Sequence, residues 1–540
     1  MKLIYFLLRS SWEMVAIAIV TGLISGFSSA RLVALINDTA NSANPSATAI
    51  FGSFAGFLCL ALLSSISSQI MLIRLSQKAI FDMQMHLSRQ ILASEFRHLE
   101  ELGASKLLAT LTSDVQSVAS SVFAIPFLCI DAAIIGGCLV YLLSLSSTVF
   151  LIVFTFLIIA VVSIQLLIKK AWQFFGKARE QQDQLLGHFR GITEGMKELK
   201  LHSQRRQSFL SEDLEGTATS LRYNRVNSMT ILAAANSVSQ LWFFGAIGLL
   251  IFGISQAIAM SPSLLSSYIL TITFIMAPLE SVMRQLPLLS RAGIALKKID
   301  NLGLSLASAR ENSSAVLPQL RASWQSLDIK GVTHTYRGEK EDSHFSLKDI
   351  ELTFKPGELV FIVGGNGSGK STLAKIITGL YIPEVGEIYL DGERINNENR
   401  EWYRQHFAVV FSDFYLFERL LGLDKGNLDV QARKYLQELQ LDSKVTVENG
   451  KLSTTNLSQG QRKRLALLTA YLEDRPIYLF DEWASDQDPT FREIFYTELL
   501  PQLKNRGKTL LVISHDDRYF YMADRIIKLE YGKIEYDKPA

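Results

Sequence analysis

The run Gly364-Gly365-Asn366-Gly367-Ser368-Gly369-Lys370-Ser371, followed by Thr372, is built to hold phosphate. Glycines let a backbone wrap around phosphate oxygens, while its N–H groups and the N-terminus of a following helix face the anion. Lys370 supplies positive charge to the β- and γ-phosphates, and Ser371 offers a hydroxyl to Mg2+. The run follows the apolar stretch LVFIV and opens the helical pattern STLAKIITGL, the setting a P-loop requires. Further along, Ile477-Tyr478-Leu479-Phe480 reads as a buried strand with Asp481 and Glu482 emerging at its end. Beside a P-loop, such a pair suits phosphate hydrolysis: Asp481 to hold Mg2+ through water, Glu482 to polarise an attacking water. An acidic pair after a strand is often a helix cap; the P-loop favours the chemical reading.

Leu457-Ser458-Gln459-Gly460-Gln461 precedes the basic helical run RKRLALLTAYL. With it the chain resembles the ATP-binding cassette (ABC) transporters, whose signature is usually LSGGQ; Gln459 replaces the first glycine. The resemblance implies that Ser458, Gln459, Gly460 and Gln461 of one subunit bind the γ-phosphate held by the P-loop of another. It implies that Tyr336 is the aromatic that stacks on adenine, Asp488 in ASDQDP the D-loop aspartate, and His515 in ISHDD the switch histidine at the γ-phosphate. Two positions depart from the family pattern. Ser412, followed by Asp413, stands where a Q-loop glutamine helps hold Mg2+, and Trp483 replaces the small residue after the catalytic glutamate. The implied activity is ATP hydrolysis with Mg2+, through Lys370, Glu482 and His515, with Ser371, Asp481 and Ser412 as metal ligands.

These residues need a rigid frame. Runs at 359–363, 476–480 and 509–514 are continuous apolar strands alternating with helices, which indicates a parallel sheet buried on both faces. SLDIKGVTHTY and FSLKDIELTF read as a separate antiparallel layer. An α/β P-loop nucleotide-binding domain is therefore expected over 326–540, behind a Ser- and Ala-rich linker at 303–325 containing Pro318.

Ahead of the linker the pattern changes. Six apolar stretches, approximately 12–37, 48–74, 118–144, 147–169, 226–256 and 264–290, are long enough to cross a bilayer as helices. Their many Ser, Gly and Ala residues permit close helix approach in lipid. The fold class expected is an all-α six-helix transmembrane domain at 1–302 followed by the α/β domain. Residues 2–10 read as a short interfacial helix, with the first span starting at about Trp12; Glu13 argues against a cleaved signal peptide. The connections at 38–47, 145–147 and 260–263 carry no Lys or Arg, whereas 75–117 and 169–225 carry many. By the positive-inside bias, both ends face the cytoplasm. The two basic connections have helical periodicity, so a soluble domain beneath the membrane is their natural contact.

Composition agrees: 540 residues, 48% hydrophobic, only 20% charged, and a net charge of +2 too small to suggest nucleic acid. Cys59, Cys129 and Cys138 have neither metal-ligand spacing nor a disulfide framework.

Fused spans and cassette resemble the exporter branch, in which ATP binding closes two cassettes, the inner helices pass that motion to the spans, and hydrolysis resets them. GGNGSGKST, FSDFYLF, DEWASDQDP and ISHDDRYF resemble bacterial cyclic-peptide and siderophore-peptide exporters. That narrower resemblance implies a peptide cargo leaving the cytoplasm across the bacterial inner membrane. With every catalytic element on one chain, a homodimer is expected. Alternatives are a multidrug or lipid exporter and, in another class, an ATP-gated channel or regulator. Within the spans, Asp131 is costly, roughly 2.5–3.5 kcal/mol for a charge at the bilayer centre. It should therefore face a partner or a wet cavity. Glu280 and Arg284, four apart on the sixth run, suit an internal salt bridge or a lining for the transport path, and Pro278 suggests a kink.

Overall fold

Within a bilayer, a long apolar segment satisfies its backbone groups by forming a helix. The computed structural model describes residues 2–40, 47–258, 260–302, 323–337, 344–423 and 426–540. Up to residue 302 it is helical. The principal helices are α1 (Lys2–Ala40), α2 (Ala47–Leu92), the short α3 (Phe96–Leu102), α4 (Val115–Leu145), α5 (Ser147–Glu194), α6 (Glu215–Gly248) and α7 (Pro262–Asn301). Among the described residues, six helices are long and apolar enough to cross a membrane. Residues 2–10 do not form a separate helix; α1 continues through Trp12 and Glu13 without a break, because nothing in that stretch interrupts its backbone hydrogen bonding. Likewise α7 runs unbroken through Pro278. Between α4 and α5 the turn is a single residue, Ser146, whose hydroxyl caps the amide of Val149.

The chain divides into two compact units. Unit 1 holds Met1–Met85 and Thr110–Ile299. Small residues set its tightest contacts: a Cβ on Gly26 would lie 2.5 Å from that of Ala133, and one on Gly137 would lie 2.8 Å from that of Ala30. That lets α1 and α4 pack closely, as the Ser, Gly and Ala content implied. At the end of α4, Tyr268 of α7 is fully buried and donates to the carbonyls of Leu142 and Ser146, at 2.8 and 2.9 Å.

Unit 2 holds Asp300–Ala540 together with His86–Ala109, so part of the first basic connection groups with the α/β part. The strands of its two larger sheets are β1 (Leu327–Arg337), β2 (His344–Phe354), β3 (Leu359–Gly364), β4 (Val385–Leu390), β5 (Glu393–Arg394), β6 (Phe407–Val410), β7 (Ile477–Asp481), β8 (Thr509–Ile513), β9 (Arg525–Glu530) and β10 (Lys533–Pro539). Among the described residues the main sheet has the order β10-β9-β3-β8-β7-β6, parallel except for β10. Side chains alternate across it. Phe361, Tyr478, Phe480, Leu510 and Val512 pack on one face; Val360, Ile362, Leu479, Leu511 and Ile513 pack on the other. Both faces are buried, which is why these strands read as continuous apolar runs. β1 and β2 pair antiparallel in a second sheet, β2-β1-β4-β5, as their sequences indicated. Most of the expected linker, residues 303–322, lies outside the described residues.

Within unit 2, α3 is bonded to the α/β part. Arg97 binds the Glu384 carboxylate at 2.8 Å, Glu100 takes the Lys375 ammonium at 2.7 Å and the Tyr381 hydroxyl, and Phe96 lies against the Tyr381 ring.

Candidate functional site

The phosphate loop hangs from the end of β3, and the helix it opens, α8 (Lys370–Ile377), starts from Gly369 in the left-handed region at φ 101°. Two glycines are required there. A Cβ on Gly364 would meet the Leu529 carbonyl at 2.2 Å, and one on Gly369 would meet Leu347 and Phe345 at 2.7 Å. Gly365, Asn366 and Gly367 are exposed, leaving that backbone open to an anion. The Ser368 hydroxyl is buried and has no hydrogen-bond partner among the described residues. Lys370 is 5% exposed and folds back on its own loop, its Nζ donating to the carbonyls of Gly364 and Gly365 at 3.1 and 3.0 Å. Burial lowers its ammonium pKa, against the pull of Glu482 and Asp481. A buried cation, an orphaned hydroxyl and a helix N-terminus around an open loop fit a polyphosphate.

Asp481 ends β7, in register with Ile513 of β8, and is buried. Ser371 donates to its Oδ1 at 3.4 Å and Ser412 to its Oδ2 at 3.3 Å. Burial pushes the Asp481 carboxyl pKa up, and these hydroxyls oppose the shift. One carboxylate with two hydroxyls is a hard-oxygen set of the kind that suits Mg2+ beside phosphate. The three residues expected as metal ligands therefore stand together, with Ser412 in contact and Asp413 exposed. Among the described residues no cluster of three His, Cys, Asp or Glu side chains could hold a metal by itself.

Glu482, the next residue, has φ 50°, a left-handed conformation unusual for a side-chain-bearing residue. Its N–H donates to Ile513 O at 3.1 Å, and its Oε1 lies 3.1 Å from His515 Nε2. The two line a pocket of about 300 Å3 with Ser485, Arg492, Tyr496 and Ser514. The Tyr496 hydroxyl, 2.7 Å from Ser514 Oγ, anchors the strand end that carries His515.

The signature segment turns into α9 (Gln459–Glu473) through a reciprocal cap: Ser458 accepts from the Gln461 amide and donates its own amide to the Gln461 side chain. Among the described residues no hydrogen bond or ion pair joins Ser458–Gln461 to the P-loop. They meet instead the segment after Glu482: Gln487 donates to Gly460 O at 3.0 Å, and a Cβ on Gly460 would lie 2.7 Å from Asp486 O. Asp488 caps the helix α10 (Pro489–Ile494) through the Phe491 amide at 2.9 Å and pairs with Arg464. Tyr336 lies on β1 in register with Phe345; its side chain falls outside the described residues.

The sequence reading missed Lys463. It is 2% exposed, and its Nζ reaches Glu482 O at 2.8 Å, Ser485 Oγ at 3.0 Å and Asp486 Oδ2 at 2.7 Å. In return Trp483 Nε1 donates to Lys463 O at 2.8 Å, and its ring stacks on Phe495 with centroids 4.3 Å apart. The signal was present: Lys463 shares an i, i+4, i+7 face with Leu467 and Ala470, an inward stripe that the basic look of RKR disguised.

Residues 12–279 match the model of the ABC transporter transmembrane region, and residues 347–485 match that of the ABC transporter. The chain is 38% identical to the ATP-binding protein SyrD of Pseudomonas syringae pv. syringae, over 96% of this chain and 93% of that one. It is 27% identical to an ATP-dependent lipid A-core flippase of Alkalilimnicola ehrlichii, over 85% of this chain and 79% of the relative. With the alpha-hemolysin translocation ATP-binding protein HlyB of Escherichia coli it shares 30% identity, over 45% of this chain and 35% of that protein.

Proposed function

Because this chain belongs to the ABC transporter family and carries its membrane and ATP-binding parts in the exporter arrangement, we propose that it exports a cyclic peptide or peptide siderophore from the bacterial cytoplasm. Its activity is ATP hydrolysis coupled to transport. The observation that carries the cargo reading is the near end-to-end similarity to SyrD, together with cassette segments such as DEWASDQDP that resemble the peptide-exporting branch. A cavity of about 1140 Å3 among the membrane helices, above the usual range of about 300–1,000 Å3 for small-molecule sites, supports it.

In this reading Lys370, Ser368 and the backbone of Gly364–Thr372 hold the phosphates of ATP. Ser371, Asp481 and Ser412 would hold Mg2+, which supplies charge neutralisation on the phosphate oxygens when bound. Glu482 orients and deprotonates the attacking water, and His515 presents its imidazole to the γ-phosphate while bonded to Glu482. Tyr336 stacks on adenine. Ser458, Gln459, Gly460, Gln461 and Asp488 complete the site of a second copy; that no hydrogen bond or ion pair joins them to their own P-loop among the described residues supports a homodimer. The chain's ends face the cytoplasm, and the protein sits in the inner membrane.

The test is cargo-stimulated ATPase and uptake into inverted vesicles, with cyclic and lasso-shaped peptides, peptide siderophores, lipids and dyes as probes. ATP-dependent accumulation of a peptide is the expected result. Stimulation and movement confined to lipids would replace peptide export with lipid flipping. ATP-gated leakage without accumulation would make the protein a channel.

A further inference from the structure

Asp131 of α4 is nine-tenths buried, yet its Oδ2 has no hydrogen-bond partner among the described residues. It lines the 1140 Å3 cavity bounded by α1, α2, α4 and α7. The rest of that lining is apolar or hydroxylated, with Phe54, Leu58, Ile269 and Phe274 among the apolar members. From α7, the Ser281 hydroxyl and the Arg284 guanidinium face the carboxylate. Arg284 is shared, since it pairs with Glu280 at 3.7 Å. Two carboxyl groups therefore share one guanidinium, and a second cation would be needed to match both as carboxylates.

Hydrogen-bond chemistry points the same way. Gln285 spends its amide group on Ser281 Oγ at 2.9 Å, and its Oε1 is buried without a partner among the described residues. Around Ser281, therefore, the unmatched atoms, Asp131 Oδ2 and Gln285 Oε1, are both acceptors. An ammonium carries positive charge and three donors and no acceptor. An ionisable group at this depth is costly to keep and marks a site of function more often than of structure.

We propose that Asp131 recognises a cationic group on the transported molecule: the cargo is an amphipathic peptide whose amine docks on this carboxylate while its apolar side chains fill the surrounding cavity. The peptide body rests on the export reading above; the cation requirement rests on Asp131 and its surroundings alone.

The experiment uses the full chain reconstituted in lipid vesicles. Three synthetic cyclic peptides, identical except for one diaminobutyrate, norvaline or glutamate, are compared by the concentration that half-maximally stimulates ATPase. Binding of dansylcadaverine, a hydrophobic primary amine with no peptide body, is read by fluorescence in parallel. The native chain should respond to the amine peptide at about 10-fold lower concentration than to the norvaline peptide. Asp131→Asn should bring the two within about 2-fold and weaken dansylcadaverine binding by about 10-fold, while Asp131→Glu should keep the preference. If dansylcadaverine binding depends on Asp131 but no peptide stimulates, peptide export fails and cation recognition stands. If peptides stimulate regardless of charge, or Asp131→Asn discriminates as the native chain does, the inference is overturned; so is it if neither probe engages.

Discussion

The ammonium of Lys463 donates to the backbone carbonyl of Glu482 at 2.8 Å, tying the helix behind the signature to the residue expected to activate water. In the proposed homodimer each end of this bond would serve a different nucleotide: α9 would present Ser458 to the partner's site, and Glu482 would act in this chain's own. Replacing Lys463 by Met leaves Asp486 and the Glu482 carbonyl short of a buried donor, a loss of about 1–3 kcal/mol. The expected result is a fall in ATPase kcat of about 5–150-fold with KM for ATP little changed, because no phosphate contact is touched. An unchanged kcat with lowered thermal stability would reduce the lysine to a packing role.

Glu482→Gln keeps the side chain's shape and removes its basicity. Hydrolysis should drop by about 100-fold or more while ATP binding persists, measured by turnover and by retention of labelled nucleotide. Lys370→Ala should instead abolish binding.

Trp483 stands where the family resemblance implies a small residue. It is 1% exposed, packed on Phe495 and Phe491. Trp483→Ala should cost about 3–5 kcal/mol, read as a lowered Tm. Trp483→Phe should recover most of the stability but not the bond to Lys463 O, and its ATPase should stay below the native rate.

Glu100 on α3 joins both Lys375 and Tyr381. Since α3 packs with the ATP-binding part, Glu100→Ala should spare basal ATPase within about 2-fold and lose most cargo stimulation, because the surface pair itself contributes little stability. Equal stimulation in variant and native protein would exclude this contact from coupling.

His334 on β1 is buried, stacked on Tyr381 at 4.9 Å, with Nδ1 3.1 Å from the Ile382 carbonyl. Burial, and then Arg97, lower its pKa below the usual 6.5, although Glu384 and the Ile382 carbonyl oppose them. With the folded value the lower one, the unfolded chain takes up the proton first as the pH falls. The residue's contribution to stability is therefore full above about pH 6.5 and is lost as the pH drops through the folded value. Native protein should lose Tm between pH 7.5 and 5.5, and His334→Gln should lose less.

Much of this molecule is dictated locally. The P-loop is legible because phosphate binding requires glycines, a lysine and a hydroxyl at fixed spacing between a strand and a helix. The spans are legible because bilayer thickness sets helix length, and the parallel sheet because strands buried on both faces have no polar side to show. Other features depend on residues distant in sequence. Ser412 meets Asp481 only because β6 and β7 lie side by side, and a serine offers no local sign of that partner. Lys463 stands in a basic helical run, and only the fold places it under Glu482. Asp131 was visible as an anomaly from its charge alone, but whether anything neutralised it depended on how α7 was set against α4. Sequence by itself determined the chemistry each segment is able to perform. Tertiary structure decided which charges are matched and which are left open, because burial and pairing are properties of neighbours that the chain brings together only on folding.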